Sequence, residues 1–165
     1  MGLILGDKEM YTKEFYSLEE IQQYYDERAN TYIFKENNSY IKKVIFNFDL
    51  NVEANIDARD IQAHNMRAFN IDACEIKAQN IMSYDIQAYS VEAEYVRSTD
   101  ITSNYIFVNR IDAADIWAVV IIADYISYHA VCYAYKIIQC KHIEGAYKFS
   151  QHFVLFGALE VKEND

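Results

Sequence analysis

The sequence predicts an all-β solenoid, and three observations predict it. Ile, Val or Met recurs every five residues, sixteen times from Ile56 to Val131. Two residues after each lies a second, small column, from Ala58, Ala63 and Ala68 through Ser83, Ser98 and Ser103 to Ala118 and Ala123, interrupted by Val108. The position before each large residue favours Asn55, Asp60, Asn65, Asn70, Asp85, Asp100 and their like. A step of five advances roughly 140° around an α-helix, so the column would spiral over its whole surface. In a continuous strand an odd step would alternate faces. A chain that turns a corner every five residues satisfies the pattern. Each side is a short extended piece whose residues i and i+2 point inward together. Asn and Asp suit the corners because their side chains bond nearby backbone.

Each element follows in order. Residues 1–43 lie outside the repeat and form an N-terminal flank. Within it, Ser17-Leu18-Glu19-Glu20 reads as a capping box. Ile21, Tyr24, Tyr25 and Arg28 then fall at helical spacing, so a helix is expected near 17–29. It would cap or flank the coil, since an open solenoid end exposes core. Residues 44–56 alternate apolar Phe46, Phe48, Leu50, Val52 and Ala54 with polar neighbours, a half-buried strand leading into the first coil. The β-helix itself is expected over 44–135. Toward its end Tyr128 and Tyr133 replace Ala, so the coil must widen or close there. Residues 136–165 form a C-terminal cap, with one or two strands in 153–161 and a frayed end from Lys162 to Asp165.

The stretch from Asn55 to Ala134 resembles the pentapeptide-repeat proteins, and the resemblance covers about half the chain. It implies a right-handed quadrilateral β-helix with roughly four pentads to a coil, hence about four coils here. One departure is visible. The family's common repeat has a small residue first and a large one two residues later. Here the order is reversed, as in Ile61-Gln62-Ala63.

Composition bounds the function. The net charge is −10, and residues 51–135 hold 12 acidic against 5 basic residues. That argues against direct nucleic-acid binding, which needs a basic surface, and permits a basic protein partner. No run of about 18 apolar residues is present, so no membrane span is expected. The start, Met1-Gly2-Leu3-Ile4-Leu5-Gly6-Asp7, is too short and acidic for a signal peptide. Three cysteines, Cys74, Cys132 and Cys140, make no even disulfide framework, so a cytoplasmic location is expected.

With twenty residues per coil, positions twenty apart would stack, and the outer faces could be assigned. Asp72, Glu75, Glu92, Glu94, Asp112 and Asp115 would then share one acidic face, with Asp72, Glu92 and Asp112 in a vertical ladder. It is a candidate contact for a basic partner. Phe69, Tyr84, Tyr89, Tyr105 and Tyr125 would give aromatic faces, Phe69 beneath Tyr89 and Tyr105 beneath Tyr125, and such residues are enriched at interfaces. Trp117, Val119, Val120 and Ile122 would form an exposed apolar patch in the last coil. It would be covered by the C-terminal strands or by a second copy. The resemblance favours a homodimer through the C-terminal coil.

No catalytic constellation stands out. His64, His129, His142 and His152 fall in no nucleophile or metalloprotease motif, and four glycines make no phosphate cradle. Cys132, Cys140 and His142 lack zinc-ligand spacing. No cofactor is expected. The leading expectation is a non-enzymatic structural or protein-interaction module. A second, implied by the resemblance, is an acidic duplex mimic that binds DNA gyrase. A third is an enzyme of unknown type, with its site between the flanks and the coil.

Overall fold

The structure is a computed structural model that describes residues 11–161. The opening segment and the frayed end expected at Lys162–Asp165 lie outside the described residues. Strand β1 (Thr12–Phe15) leads into a single-turn helix α1 (Leu18–Ile21) and a 3-10 turn (Gln22–Tyr24). Short strands follow: β2 (Tyr25–Asp26), β3 (Thr31–Ile33), β4 (Lys35–Glu36), β5 (Ser39–Tyr40), β6 (Lys43–Phe46), β7 (Leu50–Asn51) and β8 (Asn55–Asp57). Then come β9 (Asp60–Arg67), β10 (Asn70–Met82) and β11 (Asp85–Cys140). The chain closes with β12 (His142–Gly145), β13 (Gln151–Val154) and β14 (Ala158–Val161).

The all-β solenoid expected from the period is what the chain builds, in about 7 turns. Strand pairing is parallel throughout the coil. Ile76 lies between Ile61 and Val91, Ala78 between Ala63 and Ala93, and Asn80 between Asn65 and Tyr95. Side chains that meet from one coil to the next, such as Lys77 with Glu92, are 15 residues apart. The coil therefore has three sides of five residues. The expectation of a quadrilateral of about four coils is corrected to a three-sided coil of about 7 turns. The physical reason is that the period fixes the length of a side and is silent on the number of sides. That number depends on what fills the interior to close-packed density. Three branched residues and three small ones per layer fill a triangular section.

The filling is nearly complete. From Ile56 to Ile126 every member of the large column is 2% exposed or less. Corners keep their backbone groups bonded, which is why β11 runs for 56 residues without interruption. At one corner in successive coils Tyr84 N–H donates to the Phe69 carbonyl at 2.7 Å and Thr99 N–H to the Tyr84 carbonyl at 2.7 Å. One corner carries an amide ladder. Asn80 Nδ2 donates to Asn65 Oδ1 at 2.6 Å, and Asn65 Nδ2 to Asp49 Oδ1 at 2.9 Å. These corner residues bond each other between coils. The buried serines of the small column bond backbone instead: the Ser98 hydroxyl faces the carbonyls of Tyr84 at 2.7 Å and Asp100 at 2.9 Å.

The N-terminal end is plugged by aromatic rings. In the coil's first layers the small column gives way to Phe: Phe46 sits over Ala63, and Phe15 over Phe46. Phe15, Tyr24, Phe34 and Phe46 pack with ring centroids 5.2–5.9 Å apart, and Ile21 is fully buried beside them. Lys13 seals the plug. Its Nζ donates to the Tyr24 hydroxyl at 2.6 Å and to Glu36 Oε1 at 2.7 Å. The helix expected near 17–29 is shorter than its periodicity implied. Asp26 Oδ1 accepts from the N–H of Arg28 at 2.9 Å, a local turn that competes with helix, and Tyr25 already pairs with Tyr32 in a hairpin. Ser17 makes no side-chain cap, and Glu20 accepts instead from the N–H of Tyr16 at 2.8 Å. The flank also holds a tight hairpin, β4–β5, whose two loop residues Asn37 and Asn38 both have positive φ, 50° and 63°. Asn tolerates that conformation.

The C-terminal layers widen. Tyr125 pairs with His142, Val131 with Gln151 and Ile137 with Ala158, spacings of 17, 20 and 21 residues. The cause is a phase slip after Tyr128. Inward residues run Ile126 and Tyr128, then Cys132 and Ala134, then Ile138 and Cys140, a step of six. Val131, the last member of the sequence column, is only half-buried, and Cys132 takes the inward place. Tyr128 fills the widened section, in keeping with the sequence expectation. Tyr133 does not, because it points outward onto Trp117 with centroids 5.2 Å apart.

Candidate functional site

The three-sided register redistributes the outward residues. Asp72, Glu92 and Asp112 lie on three different sides, so no vertical ladder joins them. Asp72 pairs in register with Gln87. Glu75 sits at a corner over Asp60. Glu92 accepts from Lys77 Nζ at 2.9 Å and Glu94 from the Gln79 amide at 3.3 Å. Asp112 lies between Arg97 at 4.0 Å and His129 at 3.6 Å. Asp115 serves the backbone. Its Oδ1 accepts from the N–H of Val131 at 2.8 Å, where the phase slip disturbs the ladder.

A different acidic column emerges at one corner, Asn70, Asp85, Asp100 and Asp115 in successive coils, with Asn70 and Asp85 directly paired. Burial, then the charges of Asp115 and Asp85, push the Asp100 carboxyl above its ordinary value. At the neighbouring corner burial, then Glu75, raises Asp60 likewise. Twenty-residue stacking hides both columns from a reading of the sequence, because it places their members on different faces.

The aromatic candidates also separate. Phe69 lies beneath Tyr84, with centroids 5.8 Å apart, and not beneath Tyr89. Tyr89 meets Tyr105 at 5.4 Å, and Tyr105 lies parallel to Phe107 at 6.3 Å. Tyr125 is sandwiched between the Arg110 guanidinium at 4.7 Å and the His142 ring at 4.8 Å, and its hydroxyl donates to Glu144. Of the expected apolar patch, Trp117 and Ile122 are exposed while Val119 and Val120 are half-buried. They wrap one corner of a single coil, beside Phe107.

Two larger features come from the fold as a whole. The first is a shallow groove of about 1100 Å³ along one side of the coil, running from His64 to Lys141. The second is the C-terminal end. Among the described residues, strands β12, β13 and β14 each pair with β11 alone, so each offers one edge that no described strand pairs. Leu159 and Val161 lie over the buried Ile138 and Cys140, which makes them members of the inward columns. They are nevertheless 39% and 48% exposed. Phe153, Leu155 and Phe156 are exposed around the same end.

Among the described residues, no group of three or more His, Cys, Asp or Glu is arranged to hold a metal ion. Burial pushes the Cys132 thiol up to about 12 and raises that of Cys140 as well, so both act as apolar filling. No described helix is long and apolar enough to cross a membrane. Compared with protein-family models, with curated proteins and with solved structures, the chain matches none.

Proposed function

We propose that this chain is a non-enzymatic interaction module, a rigid rod of variant pentapeptide repeats whose working surface is its C-terminal end and whose partner there is a second copy. The observation that carries the reading is the difference between the two ends. The N-terminal end is closed by four packed rings and the Lys13–Glu36 pair. The C-terminal end presents three one-sided strands around exposed Leu159 and Val161. Unpaired edges and exposed core residues are what folded β-proteins cover. A two-fold axis at this end brings identical apolar surfaces together and closes the assembly at two copies, because the plugged ends face away.

Light scattering on size-fractionated protein tests it. The wild type is expected to run as a dimer, and Leu159→Lys with Val161→Lys as a monomer of unchanged circular dichroism. A wild type that stays monomeric at high protein concentration overturns the reading.

A further inference from the structure

We infer that the groove along the side of the coil is a docking site for an extended peptide that carries Lys or Arg three positions from a large apolar residue. This rests on the reading of the chain as an interaction module, but not on pairing of its ends.

The groove's floor is the backbone of the alanine column, from Ala63 through Ala78 and Ala93 to Ala123. Inter-coil pairing already uses that backbone, so an occupant cannot add itself to the sheet. Recognition must come from the two rows of outward side chains that form the walls. Those rows are held in place by their own contacts along the axis. His64 meets Gln79 at 2.9 Å, Gln79 meets Glu94 at 3.3 Å, and across the groove Lys77 meets Glu92 at 2.9 Å. At the far end Lys141 pairs with Asp124 at 3.0 Å. Walls ordered in advance reduce the entropy lost on binding.

Charge and apolarity then select the occupant. Among the described residues Glu92 and Asp124 each have a lysine partner, whereas Glu94 has only a long amide hydrogen bond. One coil and two coils further along, the opposite wall presents Phe107 and Ile122, 42% and 37% exposed. Coils rise about 4.8 Å, so Glu94 lies roughly 5–10 Å along the axis from this apolar pair. Side chains of an extended chain alternate between the two walls, and residues three apart lie about 9.9 Å from each other. A basic side chain on Glu94 and an apolar one on the opposite wall at Ile122, flanked by Phe107, therefore belong to positions i and i+3 of one strand. The groove passes six coils, about 24 Å, which accommodates roughly seven extended residues.

The probe is a phage-displayed library of linear octapeptides, selected on the full chain and counter-selected on Phe107→Ser with Ile122→Ser. Enriched peptides are expected to share the basic and apolar pair at that spacing. A synthetic peptide from the enriched set should bind at least ten-fold more weakly to Glu94→Gln and to the double serine variant. It should bind unchanged to Asp72→Asn, which lies on another side. Circular dichroism of each variant must match the wild type; both replaced apolar side chains are exposed, and Phe107→Leu with Ile122→Val serves as a milder pair if it does not. No enrichment, or peptides that bind the serine variant as well as the wild type, overturns the inference. Peptide binding by a monomeric protein would leave it standing while the end-to-end reading falls. A dimer without peptide binding would sink the groove alone.

Discussion

Asp115 illustrates how a residue's role depends on its layer. Its sequence surroundings present it as one more outward acid. In the fold it accepts the Val131 N–H at 2.8 Å, where the coil passes from five to six residues per side. Asp115→Ala is expected to cost about 1 kcal/mol in urea unfolding, the ordinary worth of one hydrogen bond to a half-buried donor, and Asp115→Asn much less. Asp100 works in the opposite direction. Its folded-state pKa is raised, so its contribution to stability is fully present below the ordinary value of 3.8 and is lost as pH rises through the folded value. Asp100→Asn should therefore raise the melting temperature at pH 7, and the gain should fade as the pH falls through the raised folded value toward 3.8. Among the cysteines, Cys74 is exposed while Cys132 and Cys140 are buried. Iodoacetamide should label Cys74 in the folded protein and the other two only after unfolding. The sequence could not assign these thiols to the core, because a column counted in fives steps onto Val131 and past Cys132.

At the scale of elements, the repeat, its inward pair and its Asn- and Asp-rich corners were legible, and the number of corners in a coil was not. Every Ile of the column is buried as its spacing demanded. The number of sides escaped, since a pentad has the same length in a triangle and in a square. That single ambiguity displaced every ladder assignment: Asp72, Glu92 and Asp112 separated, while Lys77 and Glu92 came together. The helix near 17–29 falls short of its pattern because side-chain periodicity says nothing of the Asp26 turn that ends it. Inner and outer columns should differ sharply in energy. Ile106→Ala, in mid-column, is expected to cost about 3 kcal/mol or more in stability. Lys77→Ala, which breaks an exposed ion pair, should cost less than about 1 kcal/mol. The last strand hangs on Gly157. A Cβ there would lie 1.4 Å from the Lys136 carbonyl oxygen. Gly157→Ala should release β14, seen as faster amide hydrogen exchange at 158–161 with little change in the central coils.

For the whole molecule, the two ends have different characters, and the sequence told less about them than about the middle. The aromatic plug draws on Phe15, Tyr24 and Phe34, which are scattered over the flank and share no period, and on Phe46 of the strand that follows. Only their convergence on one layer gives them a role. Replacing Phe34 by Ala should remove the plug's centre at a cost of about 3–5 kcal/mol. If end exposure governs assembly, light scattering of that variant should also find species larger than a dimer, since both ends would then be open.

The regular spacing of the coil has a further consequence for how the chain is made. In the central coils each strand's template lies only 15 residues earlier. The plug's residues precede the coil in sequence, so on the ribosome each later layer meets a finished surface on which to settle. Folding can then keep pace with synthesis, one layer per fifteen residues added, with no long loop to close before the next contact forms. Among the described residues, the one-sided strands β12, β13 and β14 follow every layer they rest on, so the surface proposed to find a partner forms after the coil that carries it.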